Sequence, residues 1–159
     1  MATAQTAYAL NPAKGLPGQI ASEEKCNKIS RTVSNAEGIR FGQPGFRVAG
    51  AGNDHMISAT GTAFLGLAVL NPAVPPVAPG ATLVDGYPQY FTGAFMTDGQ
   101  MYVTAGAAVI PGDDVYYVTA TNRFVTTAAA GAVLIPDCFF DTTGSDGSIV
   151  EISLKHRSA

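Results

Sequence analysis

The chain has 159 residues and a net charge of −3, and its charged residues make up 13% against a usual share of about 25%, while the hydrophobic 47% is ordinary. No basic face is available to hold a nucleic-acid backbone, so direct DNA or RNA binding is not expected, and no run approaches the roughly 18 apolar residues of a membrane-spanning helix. Eighteen Gly and ten Pro, with no Trp, describe many turns and short strands in a chain long enough to bury a core.

Residues 1–27 read as an extended N-terminal arm. Pro12, Pro17, Gly15 and Gly18 oppose helix and regular strand pairing. Tyr8, Leu10, Leu16 and Ile20 are spaced along it with neither a helical nor a strand period, so the arm is expected to supply no core position. Such a segment wraps its own domain or lies on a neighbour. Met1–Leu10 has no basic leader and no long apolar run, unlike a secretory signal, which predicts a cytoplasmic origin with Cys26 and Cys138 as reduced thiols. The two cysteines lack C-x-x-C spacing, so no zinc site is predicted. Ser22 is placed to cap a single helical turn over Ser22–Asn27.

Residues 28–159 read as one β domain. Lys28–Val33 alternates in strand fashion, with Arg31 placed at a sheet edge. Ile39–Phe41 and Phe46–Ala49 flank the turn Gly42-Gln43-Pro44-Gly45, and His55–Ser58 forms a short strand. Thr62–Leu70 is the most hydrophobic run and reads as a buried central strand in which Gly66 marks a bulge or a close approach. Asn71–Gly80 is Pro-rich and reads as a stiff surface loop rather than a polyproline ligand.

Phe91–Thr127 reads as two successive hairpins. Asp98-Gly99 suits a type I′ turn, which sets Met96 against Met101, Ala94 against Val103 and Phe95 against Tyr102. A second turn at Thr121-Asn122 sets Val118 against Val125, with Tyr116 and Val118 on one face and Val115, Tyr117 and Phe124 on the other. Ribbons apolar on both sides suit a barrel or sandwich that also meets a partner. Val133–Phe140 follows, with Pro136 requiring an edge or bulge, and Ile149–Leu154 closes the fold by strict alternation.

Residues that suggest chemistry are few. Asp54 and His55 are adjacent, and neighbours on a strand point to opposite faces, which prevents a direct acid–base relay. Asp113-Asp114 reads as part of a turn rather than a carboxylate pair. Asp141–Gly147 resembles a cation-binding loop but places Asp146 where the EF-hand order requires Gly, which leaves cation binding there open. His156 belongs to a solvated basic tail. No cofactor or metal is assigned and no catalytic residue is named.

The arm, followed by IRFGQPGFRV (Ile39–Val48), FLGLAVLN (Phe64–Asn71), VIPGDDVYYVTATNRFVTT (Val109–Thr127) and VLIPDCFFDTTGSDGSIVEISL (Val133–Leu154), resembles the structural cement, or capsid decoration, proteins of tailed bacteriophage heads. The resemblance covers roughly Tyr8–Lys155. It implies an all-β protein, jelly-roll or small barrel-like β-sandwich with an extended arm, located on the outer capsid surface of the virion. Its implied function is not enzymatic: it binds the assembled capsid and bridges neighbouring major capsid subunits. Its partners would be the major capsid protein and other copies of itself, as a dimer or trimer, with Tyr8, Leu10, Leu16, Ile20, Phe95, Tyr102 and Tyr117 as contact residues. A carbohydrate-binding β domain of a phage fibre or adhesin is the alternative, and a small β hydrolase using Asp113, Asp114 or His55 ranks below it.

Overall fold

All regular structure in the computed structural model is β-strand; the structure describes residues 14–74 and 85–155, and no helix occurs among them. In chain order the strands are β1 (Asn27–Val33), β2 (Ile39–Arg40), β3 (Pro44–Arg47), β4 (Met56–Ser58), β5 (Phe64–Ala68) and β6 (Gly86–Tyr87). They continue with β7 (Thr92–Thr104), β8 (Asp114–Val118), β9 (Arg123–Val125), β10 (Ala132–Phe140) and β11 (Ile149–Leu154). The all-β reading holds, and most elements fall where alternation and turn residues place them.

The main correction concerns Asp98-Gly99. Those residues do not turn the chain; they lie inside β7, one continuous strand of 13 residues. Up to Asp98 this strand pairs with β1, and from Gly99 onward it pairs with β11, with Gly99 opposite Leu154. Phe95 therefore opposes Ile29 and Ala68, and Tyr102 opposes Glu151. An Asp-Gly pair reports tolerance of positive φ, and the chain uses it for a bend: Gly99 has φ +134°, and the register slips beside it, where Asn27 meets Asp98 but Lys28 meets Met96. The extra residue resets the side-chain alternation. Met96, Met101 and Val103 consequently share one core.

Around β7 the sheet closes twice. The order β1-β4-β3-β5-β7 returns to β1 through the β1–β7 ladder, forming a small closed barrel. From the same strand, β7-β11-β10-β8-β9 curls back until Phe124 of β9 meets Ala105, just past the end of β7, in a single bridge, with the Gly106 N–H donating to the Phe124 carbonyl at 2.7 Å. Closure satisfies backbone groups that an open sheet would leave at its edges. Each barrel has its own core. The first holds Val33, Ile39, Ile57, Ala68, Tyr87 and Phe95; the second is built on Met101, Val103, Val115, Tyr117, Phe124, Ile135, Phe140, Val150, Ile152 and Leu154, all at most 2% exposed.

Other expectations need smaller changes. The β8–β9 hairpin is real, but its loop is Thr119–Asn122, so Val118 meets Arg123 and Tyr116 meets Val125. This shift of two residues preserves every side-chain face, and Asn122 does take the left-handed conformation, φ +55°. Pro136 sits in the predicted bulge, where β10 slips against β8 between Leu134 and Phe139. Gly66 makes the predicted close approach, since a Cβ there would lie 2.7 Å from the Met96 carbonyl oxygen. Ser22–Asn27 is not a helical turn. The Ser22 hydroxyl accepts the Glu24 N–H at 3.1 Å, and the segment is tied at both ends to β7, at Ile20–Met101 and Asn27–Asp98.

Candidate functional site

A binding surface is built from what the closed barrels leave outside, and the arm comes first. Residues 18–21 lie along the free edge of the second half of β7: the Gly18 N–H donates to the Tyr102 carbonyl, the Tyr102 N–H to Gln19 and the Ala21 N–H to Gln100, at 2.8–3.0 Å. The Gly18 carbonyl also accepts the Leu70 N–H at 2.7 Å. Gly18, φ +85°, faces the backbone of Gly42 so closely that a Cβ would sit 2.8 Å from the Gly42 nitrogen. Over its described part the arm thus wraps its own domain, and Ile20 packs against the second core. This corrects the expectation that the arm supplies no core position. Backbone pairing needs no sequence period and so leaves no pattern in the side chains.

The predicted contact residues separate into three groups. Leu16 is displayed, at 60% exposure. Tyr102 and Ile20 are half-buried, and the Tyr102 ring lies directly beneath Gly15. Phe95 and Tyr117 are core residues, 0% and 2% exposed, and neither offers a surface to a partner. A two-sided apolar ribbon is expected to leave one face free, but each of these side chains points into a barrel, Phe95 into the first core and Tyr117 into the second. Tyr8 and Leu10 lie outside the described residues, as do most of the Pro-rich loop and His156.

Three further apolar side chains are displayed that the sequence pattern did not single out: Tyr90, Ile110 and Leu134, at 71%, 59% and 49% exposure. Tyr90 has φ +64° and is held by its N–H donating to the Val33 carbonyl at 2.8 Å, while its neighbour Phe91 stacks on Tyr87 with ring centres 5.5 Å apart. Ile110 precedes Pro111-Gly112, and its N–H donates to the Asp113 carboxylate at 3.2 Å. Leu134 is on the outer face of β10, opposite Tyr116 of β8, which in turn opposes Val125 of β9. The available signals were a Pro-Gly turn after Ile110 and the outward parity of Leu134.

Between the barrels runs a polar clasp. Gln43 donates from Nε2 to Asn122 Oδ1 at 2.6 Å, and the Tyr117 hydroxyl donates to the same oxygen at 3.0 Å. Gln43 Oε1 accepts the Arg40 N–H at 2.8 Å, so one glutamine ties the β2–β3 turn to the β8–β9 loop. Burial pushes the Tyr117 hydroxyl pKa well above the usual phenol value, partly offset by Gln43 and Arg40. Shallow clefts on either side share Arg40, Gln43 and Asn122.

The residues considered for chemistry are occupied elsewhere. Asp141 accepts from Gln100 Nε2 at 3.1 Å, and Asp146 pairs with Arg123, so the two acids of the 141–147 loop do not converge. Among the described residues no group of three His, Cys, Asp or Glu is placed to hold a metal ion. Asp113 braces its own turn, and Asp54 and His55 are exposed. Cys26 and Cys138 are free thiols; burial raises both pKa values, most strongly for Cys138.

A family model described as structural cement protein (E217 gp24/Pam3 gp6) matches residues 4–155. A chain of the solved structure "The capsid of Myoviridae Phage XM1" shares the fold, with TM-score 0.68 and 18% identity over 97% of this chain and 98% of that one. A chain of "The crystal structure of head fiber gp8.5 N base in bacteriophage phi29" aligns with TM-score 0.42 and 14% identity, over 82% of this chain and 94% of that one. No curated protein sequence matches the chain.

Proposed function

The chain belongs to the phage structural cement protein family, and on that premise we propose that it binds the outer surface of the assembled head and bridges neighbouring major capsid subunits. The family match across residues 4–155 carries this reading. The geometry supports it: Leu16, Tyr90 and Ile110 are apolar side chains held outward by hydrogen-bonded backbone, which suits contacts whose ordering cost is already met. Tyr8 and Leu10, further along the arm, extend the proposed contact.

Attachment stabilises the head by mass action. A protein that binds only the assembled lattice contributes about 2.7 kcal/mol per site at a hundredfold excess over Kd. Repeated over the lattice, this opposes the outward pressure of packaged DNA. The contacts named are apolar or backbone-mediated, so binding is only weakly sensitive to salt.

The test is co-sedimentation of the full chain with expanded shells lacking it, using unexpanded shells as the control. Saturable binding to expanded shells, retained at moderate salt, is the expected result. Absence of binding to both shells rejects the proposal and directs attention to a glycan ligand. Even then the aromatic surface is sparse: Tyr87 and Tyr117 are buried, and Tyr90 is the one aromatic among the described residues that is largely exposed.

A further inference from the structure

Tyr90 stands where the backbone favours a different residue. The Phe91 N–H donates to the Pro88 carbonyl at 3.1 Å, closing a β-turn over Pro88–Phe91 in which Tyr90 is the third residue, with φ +64°. Gln89, the second residue, is not at positive φ, so the turn follows the type II pattern, whose third position suits glycine or asparagine. A tyrosine there brings its Cβ close to the backbone, a crowding that those two residues avoid or lessen. Nothing within the described chain compensates: Tyr90 is 71% exposed, and among the described residues its hydroxyl has no hydrogen-bond partner. The turn itself is firmly held. The Tyr90 N–H donates to the Val33 carbonyl at 2.8 Å, Gln89 Nε2 to the Ser34 carbonyl at 3.0 Å, and Phe91 stacks on buried Tyr87.

We propose that Tyr90 is the anchor of the first barrel on its partner: the ring enters an apolar pocket on the capsid surface, and the hydroxyl meets a hydrogen-bonding group at the end of that pocket. This rests on the capsid attachment proposed above and names the residue that makes it and the chemistry that receives it. Strain is what selects Tyr90 among the displayed apolar side chains, since Leu16, Ile110 and Leu134 are not at positive φ. A bulky residue held in a conformation that disfavours it, with no return inside the chain, points to a contact made outside it. The role suits a tyrosine, which combines a large apolar ring with a polar tip, and folding has already met the cost of ordering the turn.

The experiment compares wild type, Tyr90→Asn and Tyr90→Phe as full chains, in thermal unfolding and in co-sedimentation with expanded shells. Tyr90→Asn is expected to raise the unfolding midpoint by about 2 °C or more, because asparagine tolerates the left-handed conformation, and to raise the Kd for shells about tenfold or more. Tyr90→Phe keeps both the ring and the strain, so its midpoint is unchanged, while loss of the hydroxyl weakens binding about threefold. A chain that is more stable yet binds less tightly is not the product of a residue that serves the fold. If wild type binds and Tyr90→Asn binds equally well, the anchor is overturned and attachment stands. A midpoint that does not rise in Tyr90→Asn overturns the argument from strain, and Tyr90→Phe binding like wild type overturns the polar end of the pocket. Wild type that sediments with neither expanded nor unexpanded shells overturns attachment, and the anchor with it.

Discussion

On the outside of the first barrel, Lys28, Ser30 and Thr92 are exposed and Thr32 is half-buried, and the two threonine hydroxyls lie 2.9 Å apart. On the outside of the second, the corresponding positions are Tyr116, Val118, Val125 and Leu134. Both barrels are made partly of β7, and both close, the first by a ladder of paired residues and the second by one bridge. A small barrel evidently needs no apolar exterior, so the apolar exterior of the second barrel is not a requirement of the fold. It leaves Leu134 displayed beside half-buried Tyr116, Val118 and Val125.

The comparison is broken most forcefully through the shared strand. Phe95→Ala empties a fully buried position in the smaller core, and the expected loss is about 3–5 kcal/mol in denaturant unfolding. Because β7 belongs to both barrels, the loss is expected in a single cooperative transition. Two separated transitions would show that the barrels are independent. Gly99→Ala tests the junction itself: φ +134° is unsuited to alanine, and the new Cβ would lie 3.1 Å from Met96 Sδ, giving an expected cost of about 1–3 kcal/mol. An unchanged denaturation midpoint would remove the special role of that bend.

Alkaline pH separates the two cores chemically. Cys138 and Tyr117 belong to the second core, and burial raises both above their ordinary values of 9.0 and 10.0. Tyr87 in the first core is also raised by burial, but its hydrogen bond with the Ala94 N–H offsets part of the shift. In each case the folded chain holds its proton more tightly than the unfolded chain. Stability is therefore complete below the unfolded value and falls as pH climbs from there towards the higher folded value. The measurement is the unfolding midpoint against pH. A decline that begins near the thiol range is expected, weakened by Cys138→Ala and delayed towards the phenol range when Cys26→Ala is added. The smallest effect concerns the second barrel's rim: Asp146→Asn removes an exposed ion pair with Arg123 and should change stability by less than about 1 kcal/mol.

Much of this architecture was legible in residues. Ile149–Leu154 alternates strictly and is the strand it reads as, and Val115, Tyr117 and Phe124 do share an inward face. The face survived an error of two residues in the hairpin register because side-chain direction has a period of two. Asp98-Gly99 was legible only as a place where the backbone can take unusual angles. Of the residues proposed for contact, Leu16 is exposed, whereas Phe95 and Tyr117 are buried, because hydrophobicity alone does not distinguish a core residue from an interface residue.

Local sequence thus determined the strands, the turns and the inward faces, because alternation, proline and glycine act over a few neighbouring residues. Only the tertiary structure decided that β7 bends but continues through its Asp-Gly pair, that the arm bonds to the edge of that strand, and which apolar residues remain outside. Those outcomes depend on partners far away in the chain: Leu154 opposite Gly99, Gln100 bonded to Ala21, Ala105 meeting Phe124. Short-range pattern carries no information about such pairings. Whether an aromatic is buried or displayed is set by which way the closed sheet points it: Phe95 faces the first core, Tyr117 the second, and Tyr90 neither.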